Sequence, residues 1–293
     1  MNLFKTNWFL LLLLSAIWGG AFTLNKIALN IYTPEIIVAG RLIVGYVFLL
    51  ILIYMIYKRF AIKLSHFNYY LFMSIVGIVV PFIAIIHGQK HIDSAMAGIL
   101  MATMPISTVI LSHFFLEDEK MNRRKILGFI ISFLGVFTLI YREEMFNHIS
   151  EDITLLSQSL VILGATLYAF AAVYGKKYKI TDPLSASTGT ILFATFFMSI
   201  YLATLDSNDV SIKNLLIDNN ILILGIFCTA IATVIYFQIL QTAGASFLSI
   251  MNFLIPLWAI LFGMVVLDDQ FYWNYIFGLF IILLGIKLAN PAS

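Results

Sequence analysis

From Trp8 to Asn25 the chain carries no charged residue, and apolar runs of comparable length return at about 42–57, 67–89, 94–116 and 126–141. After a polar link holding Glu143, Glu144, Glu151 and Asp152, five more follow at about 155–175, 183–205, 220–241, 245–267 and 271–289. An unbroken apolar stretch of roughly 20 residues crosses the bilayer core as a helix, which satisfies its own backbone where no water can. Apolar residues make up 61% of the chain and charged residues 11%, against roughly 45–50% and 25% in a soluble domain. The fold class expected is therefore an all-α membrane protein with ten transmembrane helices. Residues 1–141 form a first five-helix unit, 142–154 an acidic linker and 155–293 a second unit. Lys5 and the small residues from Ala16 to Ala21 resemble a signal peptide, but the first run exceeds a signal core of about 7–15 residues and is read as a retained span. The single cysteine, Cys228, has no disulfide partner and is read as a small packing residue.

The second unit repeats the first. Pro105 returns as Pro256 and Ile99 as Ile250; Glu119 returns as Asp269, Gly128 as Gly278 and Gly135 as Gly285. Each glycine pair is spaced by about two helical turns and so shares one face, where a neighbouring backbone can approach closely. Those faces could pack within one chain or between two, which leaves a homodimer open.

Lys and Arg collect on cytoplasmic loops. With the N-terminus inside, that side receives Lys5, Lys58, Arg59, Lys63, Lys120, Arg123, Arg124, Lys125, Lys176, Lys177, Lys179 and Lys287, and the other side Lys26, Arg41, Lys90, Arg142 and Lys213. Twelve against five places both termini in the cytoplasm and the acidic link outside. An odd number of spans per unit then makes the second unit enter from the opposite side, giving an inverted repeat.

Trp18-Gly19-Gly20-Ala21-Phe22 with Lys26, then Pro34 and Arg41, Ser94-Ala95, Pro105, Glu119-Lys120, Gly128 and Gly135, and again Ala245-Ser246, Pro256, Asp269, Gly278 and Gly285, resemble the EamA-type transporters of the drug/metabolite transporter superfamily. The resemblance covers nearly the whole chain. It implies ten helices in two inverted repeats, a central cavity built from the first, third, fourth and sixth helices and their repeat mates, and export of metabolites across a bacterial inner membrane. The chain departs from the family pattern at Asp269-Gln270, where a Glu followed by a basic residue is usual. Arg41 and Trp18 have Thr190 and Tyr168 as repeat counterparts.

Trp18, Phe22, Asn25 and Lys26 fall on one helical stripe, matched in the sixth span by Tyr168, Ala172, Gly175 and Lys176. The stripe either lines a cavity or packs; Lys26 and Lys176 either face a pathway or snorkel to the headgroups. Arg41, about six residues into its helix, faces protein or water, as a partner of Glu35 or of a substrate. His87 and its repeat mate Gln238 either line the two mouths or satisfy interhelical hydrogen bonds. Pro105 and Pro256 lie inside apolar helices and are candidate hinges. Near them, Met101 and Thr108, and Asn252 and Trp258, face the same central region if those helices line a path. Glu117 to Lys120 and Asp268 to Gln270 are read as solvated helix ends.

No acidic residue falls in mid-helix, which disfavours the carboxylate exchange that proton-coupled cation efflux requires and leaves His87 as the one deep titratable group. No Walker, zinc or serine-elbow pattern appears, so no enzyme, cofactor, metal or nucleic acid is expected. The expected partners are a small-molecule substrate and the lipid bilayer. The reading is an alternating-access exporter of an amino acid or related zwitterion or anion; the alternatives are a multidrug or cationic-compound exporter, and a non-transporting scaffold or sensor.

Overall fold

The computed structural model describes residues 3–59, 62–92, 94–140, 152–178, 180, 182–204, 218–266 and 272–289. Most of the acidic link, from Arg142 to Glu151, lies outside the described residues, as do Asp268, Asp269, Gln270, Lys179 and Lys213. The regular elements are helices: α1 (Leu3–Leu29), α2 (Pro34–Tyr57), α3 (Phe67–Gln89), α4 (Ser94–Met101), α5 (Met104–Phe115), α6 (Arg123–Ile140), α7 (Asp152–Lys177), α8 (Pro183–Ala203), α9 (Asn219–Ala243), α10 (Ala245–Ser249), α11 (Met251–Val266) and α12 (Asn274–Ala289). Among the described residues, seven spans are long and apolar enough to cross a membrane: α1, α2, α3, α7, α8, α9 and the stretch Ala245–Phe262. The chain is an all-α, multi-pass membrane protein.

Local chemistry sets the helix starts. α2 and α8 each open on a proline, Pro34 and Pro183, whose missing N–H is not needed in a first turn. Asp182 caps α8 by accepting the Ser185 N–H, and Asp218 caps α9 by accepting those of Asn220 and Ile221. The expected hinge at Pro105 needs correction. The helix breaks two residues earlier, at Ala102 and Thr103, and Pro105 stands in the first turn of α5 rather than in a helix interior. Pro256 does lie inside α11, and there the break comes before it, at Ile250.

A turn of π-helix, wider by one residue than an α turn, interrupts α3 at Ile75–Val79 and α9 at Ile226–Ile231. The same displacement along the chain separates these turns as separates Pro105 from Pro256.

Contacts between distant residues sort the helix ends onto two faces. On one, the Thr242 hydroxyl donates to the Asn7 amide oxygen at 2.9 Å, Trp8 meets Phe247 edge-on, and Lys176 pairs with Asp118 at 3.6 Å. The start of α1, the ends of α7 and α9 and the α5–α6 loop share this face. Gly128, early in α6, lies against Gly285 and Ala289 at the end of α12, while Gly135 lies against Gly278 and Ile282. α6 and α12 therefore run antiparallel, and both ends of the helical chain reach this terminal face. The two glycine faces meet each other within one chain.

On the far face, Lys26 donates to the carbonyl of Gln89 at 3.0 Å and Tyr32 donates to Asp218 at 3.3 Å.

The α5–α6 loop does more than border the membrane. Glu119, read from sequence as a solvated helix end, is half-buried, and its carboxylate accepts the Ala245 N–H and the Ser246 N–H, each at 2.7 Å. It fills the N-terminus of α10, which follows Gly244 at φ +90, a backbone state that favours glycine. A charge-assisted cap thus ties the α5–α6 loop to the start of α10 at the terminal face. Glu119→Ala strips two backbone donors of their partner and is expected to cost about 1–2 kcal/mol. Apparent melting of the purified protein would check this, with Glu119→Gln recovering part of the loss.

Candidate binding cavity

A small cavity of about 50 Å³ opens between α1, α2, α3, α4, α5, α7 and α11. The apolar periodicity of α1 turns Trp18, Ala21, Phe22 and Asn25 toward it, a single helical face. Opposite stand Tyr168 from α7 and Met251, Asn252 and Ile255 from α11; Phe82, Ile85 and Ile86 of α3 close one flank. Met101 and Met104 flank the break between α4 and α5. The indole of Trp18 stacks on Tyr168 with ring centres 6.2 Å apart, which brings α1 and α7 together at the cavity. Tyr236 lies 6.0 Å from Trp18, and Tyr69, Tyr70 and Phe237 continue the aromatic packing.

One cation reaches this wall. Arg41 is 3% exposed and stands in the α2 span. Its Nε–H donates to Thr229 Oγ at 2.9 Å, its Nη2 donates to the Cys228 carbonyl at 3.1 Å, and its guanidinium lies 4.1 Å from the centre of the Phe82 ring. The Glu35 partner considered from sequence is not the one it takes. Among the described residues no carboxylate pairs with Arg41, so its charge is balanced only by dipoles and a ring face. The amides of Asn25 and Asn252 add polar groups to an otherwise apolar lining. Asn25 Oδ1 is buried with no hydrogen-bond partner, while its Nδ2 reaches Gln89 Oε1 at 3.4 Å. Asn252 Nδ2 reaches Met104 Sδ at 2.8 Å and the Ser249 carbonyl at 3.3 Å.

Of the positions singled out from sequence, Trp18, Phe22, Asn25, Arg41, Met101, Tyr168 and Asn252 line the cavity. Six others stand elsewhere. Lys26 bends to the end of α3, donating to the carbonyls of Gln89 and Ile92. His87 Nε2 lies 2.7 Å from Glu35 Oε1 and joins α3 to α2 near the far face. Gln238 is half-buried outside the wall, and Trp258 donates to Ser15 Oγ at 3.0 Å in the α1–α11 contact. Thr108, buried in α5, donates to the Met104 carbonyl. Lys176 pairs with Asp118 at the terminal face.

The sequence did not single out Phe82, Met104, Met251 or Thr229. The first three look like ordinary apolar positions, and Thr229 stands in a turn whose period differs from the rest of its helix. Cys228 contributes through its backbone: its carbonyl accepts from both Trp18 Nε1 and Arg41 Nη2, each at 3.1 Å. Among the described residues no group of acidic, histidine or cysteine side chains could hold a metal ion.

The model of a family described as the EamA-like transporter family matches the chain twice, over residues 6–141 and 155–290. An uncharacterized transporter of Bacillus subtilis (strain 168), YoaV, is 25% identical over 271 residues, 92% of this chain and 91% of that protein. An uncharacterized transporter of Archaeoglobus fulgidus is 26% identical over 291 residues, 97% of this chain and 98% of that protein. Protein PagO of Salmonella typhimurium (strain LT2) is 26% identical over 274 residues, 90% of this chain and 84% of that protein. A protein of known crystal structure shares the fold with a TM-score of 0.77 at 14% identity, covering 97% of this chain and 96% of that one.

Proposed function

The chain belongs to the EamA-like transporter family, and from that premise we propose that it exports a small carboxylate-bearing metabolite, an amino acid or related zwitterion or anion, across the inner membrane by alternating access. General small-molecule transport follows from the family, which is one of transporters rather than enzymes.

The cargo rests on one observation: on the wall of an apolar cavity stands a buried guanidinium that, among the described residues, has no carboxylate partner. Placing an arginine in a bilayer span costs about 2.5–3.5 kcal/mol on insertion scales. A carboxylate arriving in the cavity offsets that cost, whereas an organic cation adds to it. Trp18, Phe22 and Tyr168 would hold the apolar part of the cargo.

The architecture we infer is ten transmembrane helices in two inverted five-helix repeats, residues 1–141 and 155–293, with both termini cytoplasmic. Support comes from which helices pair. α6 lies on α12 and α2 on α8, each against its own repeat counterpart, while α1 lies on α11 and α5 on α7, exchanging partners between units. A twofold axis in the membrane plane produces that pattern and makes α6 and α12 antiparallel.

Proteoliposomes holding the purified protein test the cargo. Saturable uptake of at least one member of an amino-acid and carboxylate panel is expected, with the corresponding primary amides excluded. Uptake restricted to organic cations would overturn the proposal.

A further inference from the structure

The unpaired guanidinium explains why an anion is attracted; it does not explain which anion fits. A guanidinium carries five N–H donors in a planar fork, and a flat two-oxygen anion meets it along either the Nε–Nη2 side or the Nη1–Nη2 end. In this protein the side is occupied, because Nε–H goes to Thr229 Oγ and Nη2 gives one hydrogen to the Cys228 carbonyl. The end remains, with donors that no atom of the described residues takes, on a residue that lines the cavity.

Both acceptors on the occupied side come from the π turn of α9. An α-helix would give the Ala232 N–H to the Cys228 carbonyl; here that N–H is shared between the carbonyls of Phe227 and Thr229, leaving the Cys228 carbonyl to Arg41 and Trp18. The Thr229 hydroxyl donates its own hydrogen to the Leu224 carbonyl at 2.8 Å, so only its lone pairs face Arg41. Thr229 is fully buried and cannot exchange these partners for water.

We propose that Thr229, with the Cys228 carbonyl, is a positioning residue that turns the Nη1–Nη2 end of Arg41 to the cavity and so selects a planar carboxylate over a tetrahedral anion of the same body. This deepens the cargo reading above and rests on it. With Thr229 hydroxyl gone, Nε–H loses its acceptor, the fork is free to rotate, and a tetrahedral group can take the side-on edge.

The test uses three probes with one apolar body: phenylacetate, benzylsulfonate and phenylacetamide. Binding to the purified full-length protein is measured by calorimetry, beside Thr229→Val, which keeps the shape, and Thr229→Ser, which keeps the hydroxyl. The unmodified protein is expected to prefer phenylacetate to benzylsulfonate by about tenfold, the worth of one well-aligned hydrogen bond to a charged group. Thr229→Val should bring that ratio within about twofold and Thr229→Ser should restore it. A role in stability alone would lower the melting temperature of Thr229→Val and leave the ratio unchanged, and that outcome overturns this inference while sparing the carboxylate cargo. Binding of phenylacetamide as tightly as phenylacetate, or of none of the three, removes both.

Discussion

Arg41→Leu is expected to yield a protein that inserts normally, melts no lower than the parent and transports no carboxylate. The two effects oppose each other for a physical reason. Arg41 is buried in a bilayer span with no carboxylate partner among the described residues, so its charge weighs against the folded state. Leucine removes that cost and leaves the Thr229 hydroxyl and the Cys228 carbonyl with other bonds, since Thr229 still donates to Leu224 and Cys228 still accepts from Trp18. The proposed carboxylate cargo would lose a bidentate charge-assisted pair in a cavity of low dielectric, which corresponds to about a hundredfold or more in apparent affinity. Arg41→Lys keeps the charge and loses the fork, and it is expected to recover less than a tenth of uptake. Uptake of a transported carboxylate together with apparent melting in detergent reads both arms. Preserved uptake in Arg41→Leu would remove the guanidinium from the path.

Gly128→Leu is expected to prevent a stable bundle from forming. A Cβ on Gly128 would stand 2.5 Å from the backbone N of Ala289 and from the carbonyl of Gly285. Those are backbone atoms and cannot step aside as a side chain can, so α6 and α12 must separate. Gly128→Ala already sets two opposed terms against each other. Alanine gains up to about 1 kcal/mol of helix propensity, while overpacking a close helix contact costs about 1–3 kcal/mol. Against backbone atoms on both sides the second should win. Leucine multiplies the clash along the whole contact, and loss of a monodisperse peak in size-exclusion chromatography would report it; Gly128→Ala should instead show a lowered melting temperature.

Much of the cavity was legible from period and repetition. Trp18 and Phe22 lie one helical turn apart, and Tyr168 occupies the place of Trp18 in the second unit, so a stripe on α1 and a stripe on α7 could be drawn before any contact was known. Arg41 stood out because a charge inside an apolar run needs a reason. Lys26 shared the stripe of Trp18, but its long flexible chain reaches the carbonyls that end α3, a target no spacing within α1 describes. His87 meets a carboxylate 52 residues away in sequence, and such a pairing is set by how α2 and α3 pack. Glu119 reads from sequence as its own helix end, whereas it serves the start of α10, more than 120 residues on. Thr229 was out of reach for a different reason: beyond the π turn the apolar period of α9 slips by one position, so a single helical wheel misplaces one half or the other.

That slip constrains what length α9 can have. Each residue of an α-helix turns the chain by about 100°, so deleting one residue between Ile226 and Ile231 and closing the turn to α geometry would rotate everything after it by that angle. Tyr236 and Phe237, buried against Trp18 and Tyr69, would swing out of the bundle, and the Cys228 carbonyl would be drawn back into the helix ladder. The extra residue in α9 therefore sets the register between the aromatic floor and the charged wall. Its counterpart in α3 at Ile75–Val79 does the same between Tyr69 and Tyr70 on one side of the turn and Phe82 on the other.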